Sequence, residues 1–159
     1  MLRFLLAATG VVIFTSAVLA QTVAMHAAPP EPFKYLSAKE VVAMTDKPGP
    51  GSKTDIVSDH ENYFVEYVTR SSEGNLVEVH AHWTDYIHVL SGEATLSYGG
   101  TVADAKESGP GEIRGGNIVG GKTQALHSGD YVQIPPGTPH MITPAAGGKI
   151  SYVVFKGRL

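Results

Sequence analysis

His80 and His82 stand one residue apart in Leu76–Trp83, a run that reads as a β-strand. In a strand, residues i and i+2 face the same side, with α-carbons roughly 6.5–7 Å apart. Two imidazoles aimed at one point suit a metal ion, because neutral imidazole is the most frequent protein ligand for Zn, Fe, Mn, Ni and Cu. A third histidine, His140, follows the rigid turn Pro135-Pro136-Gly137-Thr138-Pro139, and Asp85 lies three residues after His82. The expectation is a centre of three histidines (His80, His82, His140) and one carboxylate (Asp85) inside a β-barrel. Asp85 also reads as a turn or cap residue, with His88 as its substitute ligand, although His88 has the opposite strand parity. Glu78 shares the parity of His80 and His82. A carboxylate on that inner face needs a partner or a raised pKa, and so Glu78 is a weak candidate catalytic acid or base.

These ligands need a scaffold. From Thr54 onward the chain reads as short strands, at 54–58, 62–70, 75–83, 85–91, 93–98, 113–119, 123–127, 130–134, 139–143 and 149–156, separated by Gly and Pro signals. Many short strands of this kind make a sandwich or a closed barrel. In the Pro135–Pro139 turn, Pro136-Gly137 fits the two central positions of a type II turn, with Gly supplying the positive φ. The Gly-rich stretch 99–122 is too long for a plain turn, and Glu112 and Arg114 within it either pair with each other or reach over the barrel mouth. Upstream, Ser37-Ala38-Lys39-Glu40 matches a capping box and predicts one short helix over about 38–45.

Composition narrows the classes. The 159 residues suit one main domain, and 43% hydrophobic content allows a real core. Net charge is −3, without the basic footprint of a nucleic-acid partner. Residues 1–20 read as a secretory signal: Arg3 precedes an apolar run from Phe4 to Ala20, with short side chains before Gln21. An uncleaved anchor is the alternative. Cleavage removes Arg3, leaving 11 basic and 15 acidic residues, net −4. The expected organisation is a signal peptide at 1–20, an N-terminal arm with the short helix at 21–53, and a barrel at 54–159. The mature protein is expected to be periplasmic or extracellular, with no membrane contact. The absence of cysteine excludes disulfides, thiolate zinc sites and Cys nucleophiles.

The spacings carry a resemblance. Gly74, His80, His82, Asp85 and Gly92, followed by Gly129, Pro135, Gly137 and His140, resemble the two-motif signature of the cupin superfamily, G-x5-H-x-H-x(3,4)-E-x6-G and G-x5-P-x-G-x2-H-x3-N. The match spans roughly residues 60–156. It departs where Asp85 replaces Glu and follows His82 after only two residues, and where Pro144 replaces the final Asn. Residues 84–92 and the Gly111-Glu112-Ile113-Arg114-Gly115 insert are similar to a bacterial cupin subgroup. The resemblance implies an antiparallel jelly-roll β-barrel and one divalent transition metal (Mn, Fe, Ni, Co or Zn) on His80, His82, His140 and Asp85. It also implies a homodimer and a small-molecule ligand. An oxygen-rich or phenolic substrate and a dioxygenase, oxidase, isomerase or decarboxylase reaction are the enzymatic expectation. The alternatives are a non-catalytic binding protein and a metal-stabilised structural barrel.

Overall fold

The computed structural model describes residues 33–47 and 49–158. The expected signal segment and cleavage point, and the arm as far as residue 32, lie outside them. Tyr35–Leu159 forms one compact unit. Among the described residues no helix is long and apolar enough to cross a membrane.

The helix expected from the capping box is α1, Ala38–Thr45. The Ser37 hydroxyl accepts from the Glu40 amide, and the Glu40 carboxylate accepts in return from the Ser37 amide. This satisfies two N-terminal donors that have no partner within the helix.

The rest is antiparallel β-structure. Its strands are β1 (Ser52–Asp59), β2 (Tyr63–Ser71), β3 (Glu78–His80), β4 (Trp83–Gly92), β5 (Ala94–Tyr98), β6 (Thr101–Ala103), β7 (Glu107–Gly109), β8 (Glu112–Arg114), β9 (Asn117–Val119), β10 (Lys122–Leu126), β11 (Tyr131–Ile134), β12 (His140–Pro144) and β13 (Lys149–Arg158). One sheet has the order β1-β2-β13-β4-β11, a second β10-β5-β12-β3-β8-β7, and β6 pairs with β9 apart from both. Inward residues at every second position, among them Val68, Ile87, Val89, Leu96, Ile142, Ile150, Tyr152 and Val154, form one buried apolar cluster.

Two expectations are corrected here. The strand expected over 75–83 is not continuous. β3 ends at His80 in the six-stranded sheet, the chain bends at Ala81 and His82, and β4 begins at Trp83 in the five-stranded sheet. The Gly-rich segment 99–122, expected to hold one strand at 113–119, breaks that strand at Gly115 and Gly116. It folds into short strands, and β8 pairs with β3 so that His80 lies opposite Glu112 and Glu78 opposite Arg114.

Candidate metal centre

Along β13 the inward positions run Ile150, Tyr152, Val154 and Lys156, from apolar to charged. β4 follows suit, since Asp85 is in register with Lys156 and Ile87 with Val154. β3 contributes Glu78 and His80, and β12 starts at His140, in register with Glu78. Glu78, His80, Asp85, His140 and Lys156 are thereby gathered in the interior, each 4% or 6% exposed.

The Pro-Gly turn sets the position of His140. Gly137 has φ +73°, and the Thr138 amide donates to the Pro135 carbonyl, as a type II turn requires. The Gly137 amide also donates to the carbonyl of His80 at 2.8 Å, tying the turn to the strand that carries the other histidine. The two imidazole centroids are 5.3 Å apart.

Both rings are oriented from outside. His80 Nδ1 lies 2.5 Å from the Glu112 carboxylate, and His140 Nδ1 lies 3.0 Å from the Thr138 carbonyl. Those acceptors hold the proton on Nδ1 and turn each Nε2 inward, the arrangement that orients metal-binding histidines. Asp85 Oδ2 stands 3.7 Å from His80 Nε2 and 3.6 Å from His140 Nε2, and Glu78 Oε2 stands 3.5 Å from His80 Nε2. One donor atom each from Glu78, His80 and His140 lie within 4.8 Å of one another.

The residues fit a divalent ion. Asp85 Oδ1 is buried without a hydrogen-bond partner, as expected of a carboxylate whose second oxygen is meant for a cation or water. Bonds of about 2.1 Å keep neighbouring donors roughly 3.0–3.4 Å apart, which small side-chain shifts achieve here. A small chamber of about 20 Å³, lined in part by Glu78, Asp85 and His140, is the size of one ion or water. Outside it, a cavity of about 600 Å³ is bounded by Phe64, Trp83, Glu66, Glu112 and Arg114, with His80 and Lys156 also in its lining.

Electrostatics separates the carboxylates. Burial alone would raise the Glu78 pKa. His80 and the guanidinium groups of Arg70 (2.8 Å) and Arg114 (3.0 Å) outweigh burial and hold it far below the usual carboxylate range. Both arginines engage Oε1, and Oε2 is the oxygen nearer His80. Glu66 behaves oppositely: burial raises its pKa against the pull of Lys156 and Arg70. Burial lowers the pKa of His140, outweighing Asp85, so the ring is neutral near pH 7. Burial and Lys156 push His80 the same way, but Glu78, Asp85 and Glu112 together outweigh them and raise its pKa.

Of the expected ligands, the structure brings together His80, Asp85 and His140, and it does not bring in His82. His82 is exposed on the bend between the sheets, beside Gly111. The i, i+2 argument fails for His82 because the strand ends before it, and holds one step earlier for Glu78 and His80. Glu78, expected only as a weak catalytic candidate, is an ionised donor in the cluster. Its lowered pKa is the reverse of what a proton donor near neutrality needs. His88 is exposed, as its parity predicts. Glu112 and Arg114 both reach the centre, by contacts to His80 and Glu78. Trp83 packs edge-on against Phe64 at the outer cavity.

Sequence reasoning missed Arg70, Glu66 and Lys156. Their signal was strand alternation: Phe64, Glu66, Val68 and Arg70 on β2, and Ile150 to Lys156 on β13. Arg70 is held by Glu78 and by the Tyr152 hydroxyl at 2.7 Å.

No family model matches the sequence, and no curated protein does. Solved structures do match. A protein from Klebsiella pneumoniae with a double-stranded β-helix domain is 17% identical, with TM-score 0.58 over 80% of this chain and 91% of that one. The polyketide cyclase RemF of Streptomyces resistomycificus is 19% identical, with TM-score 0.53 over 79% of this chain and 80% of that one. The cupin domain of Schizosaccharomyces pombe Cnp3 is 11% identical, with TM-score 0.50 over 68% of this chain and 65% of that one. At these identities the likeness is one of fold.

Proposed function

Taking as premise that this chain has the cupin fold, we propose that it is a metalloenzyme acting on a small oxygen-rich or phenolic molecule that enters through the cavity beside Trp83. His80 Nε2, His140 Nε2, Asp85 and Glu78 Oε2 would hold one divalent ion among Mn, Fe, Co, Ni and Zn. Two neutral imidazoles and two carboxylates suit these borderline ions, and the carboxylates balance the ionic charge. The observation that carries the reading is the pair of Nδ1 contacts, to Glu112 and Thr138, which leave both Nε2 atoms facing Asp85 Oδ2.

When bound, such an ion supplies Lewis acidity to a substrate oxygen. The chain's own residues do the rest. Arg70 and Arg114 keep Glu78 ionised. Phe64 and Trp83 give an apolar wall for the body of the substrate. Glu66 lines both the inner chamber and the outer cavity, and burial raises its pKa, which makes its carboxylate a better proton acceptor than an ordinary glutamate. Glu66 is the candidate acid or base.

The test is to load purified full-length protein with Mn(II) or Fe(II) and offer small acids, sugars and phenols. Turnover should appear with at least one compound and disappear in His140→Ala. Glu66→Gln should keep the metal and lower kcat by about 10²-fold or more. Tight ligand binding without product from any compound favours the non-catalytic binding protein.

A further inference from the structure

Lys156 has no part in the ligand set just described, yet its Nζ lies 2.8 Å from His80 Nε2 and 3.2 Å from Asp85 Oδ2. Those are two of the groups assigned to the metal. We propose that Lys156 is a built-in competitor for the ion: its ammonium occupies the His80 and Asp85 donors until a metal displaces it. This rests on the reading of the centre as a metal site.

The argument begins with the imidazole. Once Nδ1 carries its proton toward Glu112, Nε2 has a single lone pair. It accepts from Lys156 or binds an ion, never both. Asp85 Oδ2, which faces both Nε2 atoms, is engaged by the same ammonium, although a carboxylate oxygen has lone pairs for both partners. Repulsion adds to this, because an ammonium and a divalent ion at these distances oppose each other in a weakly screened interior. The lysine also has somewhere to go. It already lines the outer cavity together with Glu66 and Glu112, and the face of Phe64 lies 5.8 Å from Nζ. A four-carbon stem reaches that space by changing rotamers, with β13 left in place. The arrangement also explains how the ion-free fold tolerates Asp85 beside Glu78. The lysine cation offsets buried negative charge that otherwise stands uncompensated.

Lys156 therefore supports the ion-free protein and weakens its hold on metal. A purely structural lysine would do only the first. The experiment titrates Co(II) into metal-stripped full-length protein by calorimetry, comparing wild type with Lys156→Met and Lys156→Gln. Competition predicts that the variants bind at least about tenfold more tightly, with unchanged stoichiometry. It also predicts a lower melting temperature for the stripped variants and a gap that narrows when Co(II) is added. Lys156→Gln keeps a polar head and serves as the second variant if Lys156→Met fails to fold. Co(II) uptake by a variant alone, with wild type taking none, supports the competition strongly. Equal or weaker binding by the variants overturns it and leaves the metal reading standing. No uptake by wild type or variants overturns both.

Discussion

Glu78 concentrates the residue-scale physics. It is a buried anion held by two guanidinium groups, and Arg70 in turn is buried against it. Glu78→Ala leaves Arg70 with only the Tyr152 hydroxyl, and should cost about 3–5 kcal/mol in urea unfolding. The pH dependence follows from the same contacts. Glu78 has a folded pKa below its ordinary 4.5, so its contribution is present above that value and is lost as pH falls through the folded pKa. His140 is also depressed, from 6.5, so the unfolded chain binds its proton first and stability drops as pH falls below 6.5. His80 is raised above 6.5, and its contribution is present at lower pH and lost as pH rises through its folded value. The two histidine windows therefore lie on opposite sides of pH 6.5 and give a stability maximum there, while Glu78 adds a further loss below 4.5. Urea midpoints measured against pH should peak near about 6.5, decline on both sides, and fall further below 4.5. Midpoints that change in one direction through pH 6.5, without a maximum, would contradict this assignment.

At the scale of elements, the site depends on where strands stop. β3 must end at His80 and β4 must begin in the other sheet, so that Asp85 returns to the same interior. β4 then has to turn sharply into β5. Gly92 makes that turn, with φ +82°, and a Cβ there would lie 2.1 Å from the Lys149 carbonyl. Gly92→Ala should therefore cost about 3 kcal/mol, read as a lowered urea midpoint with unchanged slope. Much of this was legible beforehand. The capping box placed α1, the Pro136-Gly137 pair gave the turn before His140, and alternation gave the strands. His82 was misjudged because periodicity says which face a residue takes and not where the sheet ends. β6 and β7 were not legible, and β8 and β9 read as one strand at 113–119, because three-residue strands flanked by glycines carry too little alternation to separate them from loop or from each other. Lys156 and Arg70 were passed over because charged residues in strands ordinarily face water, and only the folded interior shows them paired.

At the scale of the whole molecule, the barrel is apolar through most of its interior and charged at one region, where both sheets contribute. Glu66, Arg70, Glu78, His80, Asp85 and Lys156 come from β2, β3, β4 and β13, and His140 from β12. Gathering so much charge away from water is costly unless each group is compensated. Arginines compensate Glu78, a lysine compensates Asp85, and one Asp85 oxygen is left without a partner. The pattern makes sense if the centre exists to hold a cation, and a bound ion would add to stability by mass action. The most direct measurement is the metal content of full-length protein purified without added metal and then dialysed against Mn(II), Fe(II) or Zn(II), alongside His80→Ala and His140→Ala. The account predicts about one tightly held transition ion per chain in the wild type and none in either variant. Protein that holds no ion after dialysis, or variants that retain the full complement, would contradict it.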